Sequence, residues 1–314
     1  MASLSQLISK PLINSYIEWS INERKVKGYS LLVPLSLLFA AMRQHPQYKS
    51  ADLMWFRALL NSLPLEHASE LRRRKAGKYA DYELVESIPV KLHSERSVVV
   101  KKGITEMSRL CMKELLMRWL VTLPWRQRNI RECRIAGVRP NLFQGKIPPY
   151  SEIDKPEWVK LEEQNNPDAQ FWQFQFSGDE TKTGIEVQAL LPRQLIGPLQ
   201  EYLEEFRKHL IRGTDPGTLF VNQAGQPMQS CQMGNLVSTL TIRYAGKRIT
   251  PHPFRDIVAF AWLKAHPKDY LTLSKILWHS NINTTIKIYG GRFNESSGVC
   301  AMESWLDERE AKPK

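Results

Sequence analysis

Apolar residues recur at three- and four-residue intervals from about Leu4 to Leu63, interrupted at Gly28 and Pro46. That period places one apolar stripe on each helix, and it predicts helices near residues 4–24, 31–44 and 51–62. The longest apolar run, Tyr29 to Met42, contains Ser30, Pro34 and Ser36. It is too short to cross a bilayer and reads as a core helix. From Gly77 to Gly103 the periodicity fades, and the segment reads as a linker between domains. A second unit starts near Ile104. There "ITEMSRLCMKELLMRWLVTL" forms an amphipathic helix stopped by Pro124. "FWQFQFSG" and "IEVQALL" are β-rich and flank the polar "DETKT", which predicts a hairpin with Lys182 in or beside its turn. "RQLIGPLQEYLEEFRKHLI" is helical, with Gly197-Pro198 placed to break its first turn. "TLFVNQAGQPM" reads as a short strand and turn. Further helices are predicted at 229–244, 253–265 and 270–279. Repeats and low-complexity segments are absent from the sequence.

A chain of 314 residues accommodates two domains, and 42% hydrophobic content fits a soluble globular protein. The formal net charge of +12 narrows the choice of partner. Such an excess favours an anion, of which nucleic acid is the commonest, although a basic surface also serves solubility alone. Arg72, Arg73, Arg74, Lys75 and Lys78 crowd one stretch, which reads equally as a solvated helix end or as a contact to the DNA backbone. Cys111, Cys133, Cys231 and Cys300 are too scattered for a zinc ligand pair and too few for a disulfide framework. Reduced structural thiols in a cytoplasmic protein are expected, and no apolar signal-peptide core opens the chain.

Several residues suit phosphate chemistry. "PHPFRD" sets His252 and Arg255 three apart at a helix start, so that both share one face. Arg126 follows the break at Pro124, where a loop presents it. "KILWHSNINTTIKIYGG" holds His279, two adjacent threonines, and Tyr289 ten residues beyond the histidine. Singly, each has an ordinary reading as a surface arginine, a turn lysine, a capping histidine or a packing tyrosine.

Their order along the chain resembles the tyrosine recombinase (phage integrase) family from about residue 104 to 295. The resemblance is carried by "WRQRNIRECRI", "ETKTGIEVQALLP", "LFVNQAGQPM", "TPHPFRDIVAFAWLKAHP" and "LWHSNINTTIKIYGG". It implies a mainly α fold with a small antiparallel β-sheet. A helical core-binding domain at 1–95 would precede a catalytic domain at 96–314, the two clasping duplex DNA.

By that resemblance Arg126 and Arg255 would hold the scissile phosphate, Lys182 would be the hairpin lysine, His252 and His279 the two histidines, and Tyr289 the nucleophile. Arg128 would add a DNA contact. Arg128 and Arg131 compete with Arg126 for the first arginine; Arg134, eight residues beyond Arg126, favours Arg126. No cofactor or metal is implied, because guanidiniums take the place of ions. The family acts as a homotetramer on two paired double-stranded DNA sites, without a membrane. A topoisomerase-like relaxation or a DNA-binding protein that has lost catalysis would use the same fold.

Four positions depart from the family's pattern. Asn129 stands where an acidic residue is frequent, Trp278 where glycine precedes the second histidine, and Asp256 where histidine follows the second arginine. The tyrosine comes ten rather than nine residues after that histidine. Asp256 is expected to pair with Arg255. Val299, Met302, Trp305 and Leu306 keep helical spacing, for packing on their own domain or for exchange with a neighbouring protomer.

Overall fold

The structure is a computed structural model that describes residues 9–46, 48, 53–63, 80–148, 153–290 and 302–303. The chain divides into two compact units, Met1–Gly77 and Lys78–Lys314.

The first unit contains α1 (Lys10–Asn22), α2 (Gly28–Gln44) and α3 (Met54–Ser62). Its core gathers Ile13 and Ile17 of α1, Leu31, Leu35 and Met42 of α2, and Phe56 of α3. α2 is the apolar run expected as a core helix, and only one of its faces is buried. Val33 and Leu37 on the other face are 64% and 67% exposed. Pro34 lies within α2 without ending it. The basic cluster Arg72, Arg73, Arg74, Lys75 and Lys78 falls outside the described residues, as do Val299, Trp305 and Leu306.

In the second unit the segment expected as a linker is instead helical. α4 (Tyr82–Ser94) buries Val85, Ile88 and Leu92 against the long α5 (Ile104–Thr122). These three residues keep the three- and four-residue spacing of an apolar stripe. Pro89 and the flanking charges mask the stripe when the sequence is read by eye. The unit boundary accordingly lies at Gly77, and α4 belongs with the second unit.

Twelve of the nineteen residues of α5 are buried, and that burial makes it the central helix. Pro124 lies two residues past its end, as the sequence implies. A short α6 (Gln127–Arg131) follows. The sheet is antiparallel in the order β1 (Leu142–Gly145), β2 (Phe171–Phe176), β3 (Val187–Leu190), with Phe174 opposite both Leu142 and Ala189. β2 and β3 form the expected hairpin. β1 and α7 (Glu157–Asn165) carry too few periodic apolar residues to be found from sequence.

α8 (Arg193–Glu201) runs through Gly197-Pro198 unbroken and continues as a wide turn, Tyr202–Phe206, and a tight one, Arg207–Leu210. α9 (Ser230–Ala245), α10 (Pro251–Ala265), α11 (Tyr270–Ile276) and α12 (Ile282–Tyr289) complete the unit. The helix expected over 270–279 stops at Ile276, and α12 is a separate helix that ends on Tyr289. The architecture is mainly α with one small antiparallel sheet.

One buried carboxylate ties helices of this core together. Glu114 of α5 is 1% exposed and accepts hydrogen bonds from Arg96 at 2.9 Å and from Arg118 at 2.9 Å. Arg96 also bonds Glu201 of α8 at 2.5 Å, which ties three segments together. Removing a buried carboxylate strands its cations. Both arginines keep some access to water, which tempers the loss. Glu114→Ala should therefore cost about 2–4 kcal/mol of stability, read as a lowered urea midpoint at unchanged slope.

Candidate active site

Arg255 organises the site. It sits on the second turn of α10 and is 4% exposed. Its Nη1 donates to the carbonyl of Pro124, and its Nη2 to the carbonyl of Leu277 at 2.6 Å. The Leu277 carbonyl caps the C-terminus of α11, where the last carbonyls lack intrahelical partners, and the Pro124 carbonyl lies two residues past the end of α5. The negative end of each helix also favours a cation. One planar guanidinium thereby holds the loop that bears Arg126 and the turn that bears His279.

Arg126 caps the N-terminus of α6, and its guanidinium is partly buried. Its Nη1 is a buried nitrogen without a hydrogen-bond partner. Burial pulls its pKa below the ordinary arginine value. Burial, and then the Arg126 charge, pulls Arg255 down to about 10, while Tyr289 and Asp256 act in the opposite sense. Two guanidiniums thus face one another in a partly desolvated place, a costly arrangement that an anion would relieve.

His279 joins the pair. The chain leaves α11 through a left-handed residue, Trp278, with φ +52°. Trp278 N–H donates to Lys275 O at 3.0 Å, and His279 N–H to Ser274 O at 3.0 Å. This is the helix ending that normally selects glycine at the left-handed position. It explains why a glycine is expected there and what the tryptophan costs.

The tryptophan compensates by packing. Its ring lies 5.1 Å from Trp125, 6.0 Å from Phe174 and 5.6 Å from Phe176, centroid to centroid. His279 Nδ1 lies 2.9 Å from the hydroxyl of Thr285, which is fully buried. Burial, together with Arg255 and Arg126, holds the imidazole down at about 4. It is therefore neutral at pH 7.

Tyr289 ends α12 and is 3% exposed. Its ring packs with Ala259 and Leu263 of α10 and with Leu273 and Leu277. It meets Phe260 edge-on at 5.5 Å. Its hydroxyl donates to Asp256 Oδ1 at 2.7 Å. Sequence reasoning assigned Asp256 to Arg255; its hydrogen bond with the tyrosine was not foreseen. A carboxylate next to a guanidinium suggests an ion pair, and only the fold brings α12 back against α10. Thr285 is a second residue without an assigned role, legible only as part of the threonine pair.

Lys182 is exposed in the turn between β2 and β3. That turn is tightly held. Glu180 accepts from Ser177 N–H and Oγ at 3.0 and 2.9 Å, and from Arg134 at 2.6 Å and Asn141 at 3.1 Å. Burial by itself would raise the Glu180 carboxyl, yet these donors bring it down to about 2. Gly178 permits the closure, because a Cβ there would stand 2.8 Å from Gly184 O. Asn129 of α6 donates to Glu180 O at 3.2 Å, fastening the lysine-bearing turn to the helix that Arg126 caps. The amide serves where an acidic side chain was expected.

His252 is exposed on the first turn of α10, three residues before Arg255. Arg128 is exposed and bonds Glu132 at 2.8 Å, while Arg131 also bonds Glu132. Neither occupies the place of Arg126 beside Arg255. Arg134, expected to mark the register of Arg126, spends its guanidinium on Arg139 O and Glu180. Cys111 and Cys133 are buried, and burial pushes both thiols up to about 12. Among the described residues no group of three acidic, histidine or cysteine side chains could hold a metal ion, and no helix is long and apolar enough to cross a membrane.

Residues 168–295 match the family model described as the phage integrase family. No curated protein matches the sequence. Among solved structures, the XerH site-specific recombinase bound to palindromic difH substrate, a post-cleavage complex, is similar at TM-score 0.58 and 16% identity. That likeness covers 97% of this chain and 74% of that one. The pre-cleavage XerH–difH complex gives TM-score 0.53 at 16% identity, covering 95% and 71%. The Tn1549 transposon integrase with transposon right end DNA gives 0.51 at 14% identity, covering 95% and 86%.

Two outcomes follow from this geometry. Trp278→Gly should relieve roughly 1 kcal/mol of backbone strain but lose the larger packing of the indole, for a net loss of about 2–4 kcal/mol in chemical denaturation. His279 should stay neutral to about pH 4 in ring-proton titrations of the DNA-free protein. Its folded value lies below the unfolded ~6.5. Its contribution to stability is therefore complete above 6.5 and is lost as pH falls from there towards 4. His279→Asn should flatten that part of the stability profile.

Proposed function

On the premise of a tyrosine recombinase fold, we propose that this protein breaks and rejoins double-stranded DNA at specific sites through a 3′-phosphotyrosine intermediate. The observation that carries the reading is the buried, unpartnered Nη1 of Arg126 beside the buried Arg255. A scissile phosphate supplies the anionic acceptors that both guanidiniums lack.

The chemistry assigns the remaining roles. The Tyr289 hydroxyl oxygen forms a bond to phosphorus, and the bond from phosphorus to the 5′ oxygen breaks. Charge that grows on the non-bridging oxygens is met by Arg126 and Arg255, whose forks are preformed. Neutral His279 and the neighbouring His252 donate or accept hydrogen bonds at the same phosphate. Lys182, on its braced turn, gives a proton to the leaving 5′ oxygen. A 5′ hydroxyl of a second strand then attacks the phosphotyrosine and gives its proton to Lys182, the phosphodiester is restored, and the departing Tyr289 oxygen takes back the proton it lost in cleavage. Bond energy is kept throughout, so no nucleotide cofactor enters.

Integration or excision of a mobile element in the cytoplasm, by a homotetramer on two paired sites, is the setting this chemistry suits. Arg72, Arg73, Arg74, Lys75, Lys78 and Arg128 are assigned to DNA phosphates. Their contribution would be lost steeply with salt.

Nicked duplexes drawn from the DNA flanking the coding sequence test the reading. Wild-type protein should give a covalent adduct on denaturing gels and Tyr289→Phe none, with salt-sensitive binding retained in both. Binding without any adduct, on nicked or supercoiled DNA, would leave a DNA-binding protein that does not cut.

A further inference from the structure

Tyrosine as a nucleophile poses a problem that arginines do not solve. A phenol in a free peptide titrates near ~10, so it enters the reaction carrying its proton. That proton must leave as the oxygen bonds to phosphorus, because a phosphotyrosyl ester oxygen holds none. The acceptor has to lie within hydrogen-bond reach of the phenol oxygen. Asp256 meets that condition, since Tyr289 donates to its Oδ1 at 2.7 Å.

The placement is built rather than incidental. Asp256 follows Arg255 on α10, so the residue whose guanidinium is pinned by two carbonyls also fixes the backbone of its neighbour. Tyr289 cannot swing freely, because its ring is clamped among Ala259, Leu263, Leu273 and Leu277. The charged and titratable groups around the pair are Arg255 on the same helix, Arg126 at the start of α6 and His279 after α11. Tyr270, on α11, packs in the same apolar cluster. Burial and the two arginines keep the imidazole neutral, while the arginines themselves are cationic. The carboxylate has a direct hydrogen bond to the phenol.

Resting on the strand-transfer reading above, we propose that Asp256 is a catalytic residue, the general base that takes the phenol proton from Tyr289 as it attacks the phosphate. The O–H bond of Tyr289 breaks, its electron pair forms the new bond to phosphorus, and the proton passes to Asp256 Oδ1. The leaving 5′ oxygen draws its own proton from a different group. During rejoining Asp256 returns the proton to the departing phenol oxygen, so the carboxylate is regenerated. A carboxylate accepts a hydroxyl proton in the same coupled way in protein kinases, where the partner is also a nucleophile aimed at phosphorus.

The test follows covalent adduct formation on the nicked duplexes, with wild type as the internal control. Asp256→Asn should cleave about 10²-fold more slowly while binding DNA with the wild-type salt dependence. Between pH 8 and 10 the gap to wild type should narrow by roughly tenfold per unit, because the phenol then loses its proton without help. Asp256→Glu, which restores a carboxylate, should recover at least part of the loss. A substrate with bridging 5′ sulfur, whose thiolate leaves unprotonated, should rescue Lys182→Ala but not Asp256→Asn.

An Asp256→Asn rate equal to wild type, a deficit constant across pH, or full rescue by the sulfur substrate would each overturn the assignment. So would loss of DNA binding in both Asp256 variants, which would make the residue structural. Absence of an adduct from wild type would overturn the strand-transfer reading and this inference together, whereas a wild-type adduct with an unimpaired variant overturns this inference alone.

Discussion

The two hydrogen bonds from Arg255 to the carbonyls of Pro124 and Leu277 hold together the segments that bear Arg126 and His279. Leu277 caps α11 and Pro124 lies just past α5, and each carbonyl accepts its bond from Arg255 in a buried place. The cation sits near the negative ends of two helices, so backbone carbonyls offset much of its burial, and Asp256 acts in the same sense. Carbonyls position the fork and leave its charge available. Arg126 then stands next to it with a buried donor unsatisfied, and both charges lie close before any phosphate is present. Order established during folding need not be established again in the transition state.

Apolar packing places the polar groups. Trp125 directly precedes Arg126, and Trp278 directly precedes His279; the two indoles touch. Phe174 and Phe176, which meet the same rings, lie on the strand that leads into the Lys182 turn. One aromatic cluster thus aligns three segments distant in sequence. The left-handed backbone at Trp278 works against the residue, and contacts on three sides offset it. Fine control comes from polar bracing, with Glu180 and Asn129 locking the turn against α6.

Protonation states follow from the same packing. Burial and the paired arginines remove the positive charge from His279, while Thr285 fixes its ring. The charge available to a phosphate is therefore concentrated on the guanidiniums. The Tyr289 hydroxyl donates its hydrogen bond to Asp256.

The hydrophobic period along the chain determined the main helices and the β2–β3 hairpin, because burial of a stripe needs only local spacing. The order of arginine, lysine, His-x-x-Arg, histidine and tyrosine determined the chemistry to look for. The helix α4 escaped because Pro89 and its polar neighbours dilute a real stripe, and α12 because it spans only eight residues and leaves Ile282, Ile286 and Ile288 exposed. Sequence also marked Trp278 and Asp256 as departures without showing their consequence. Only the tertiary structure decided that Trp278 occupies a left-handed helix end and fills an aromatic pocket, and that Asp256 meets the Tyr289 hydroxyl. Both outcomes depend on contacts between segments that folding brings together, and a one-dimensional pattern carries no information about which turn of one helix faces the end of another.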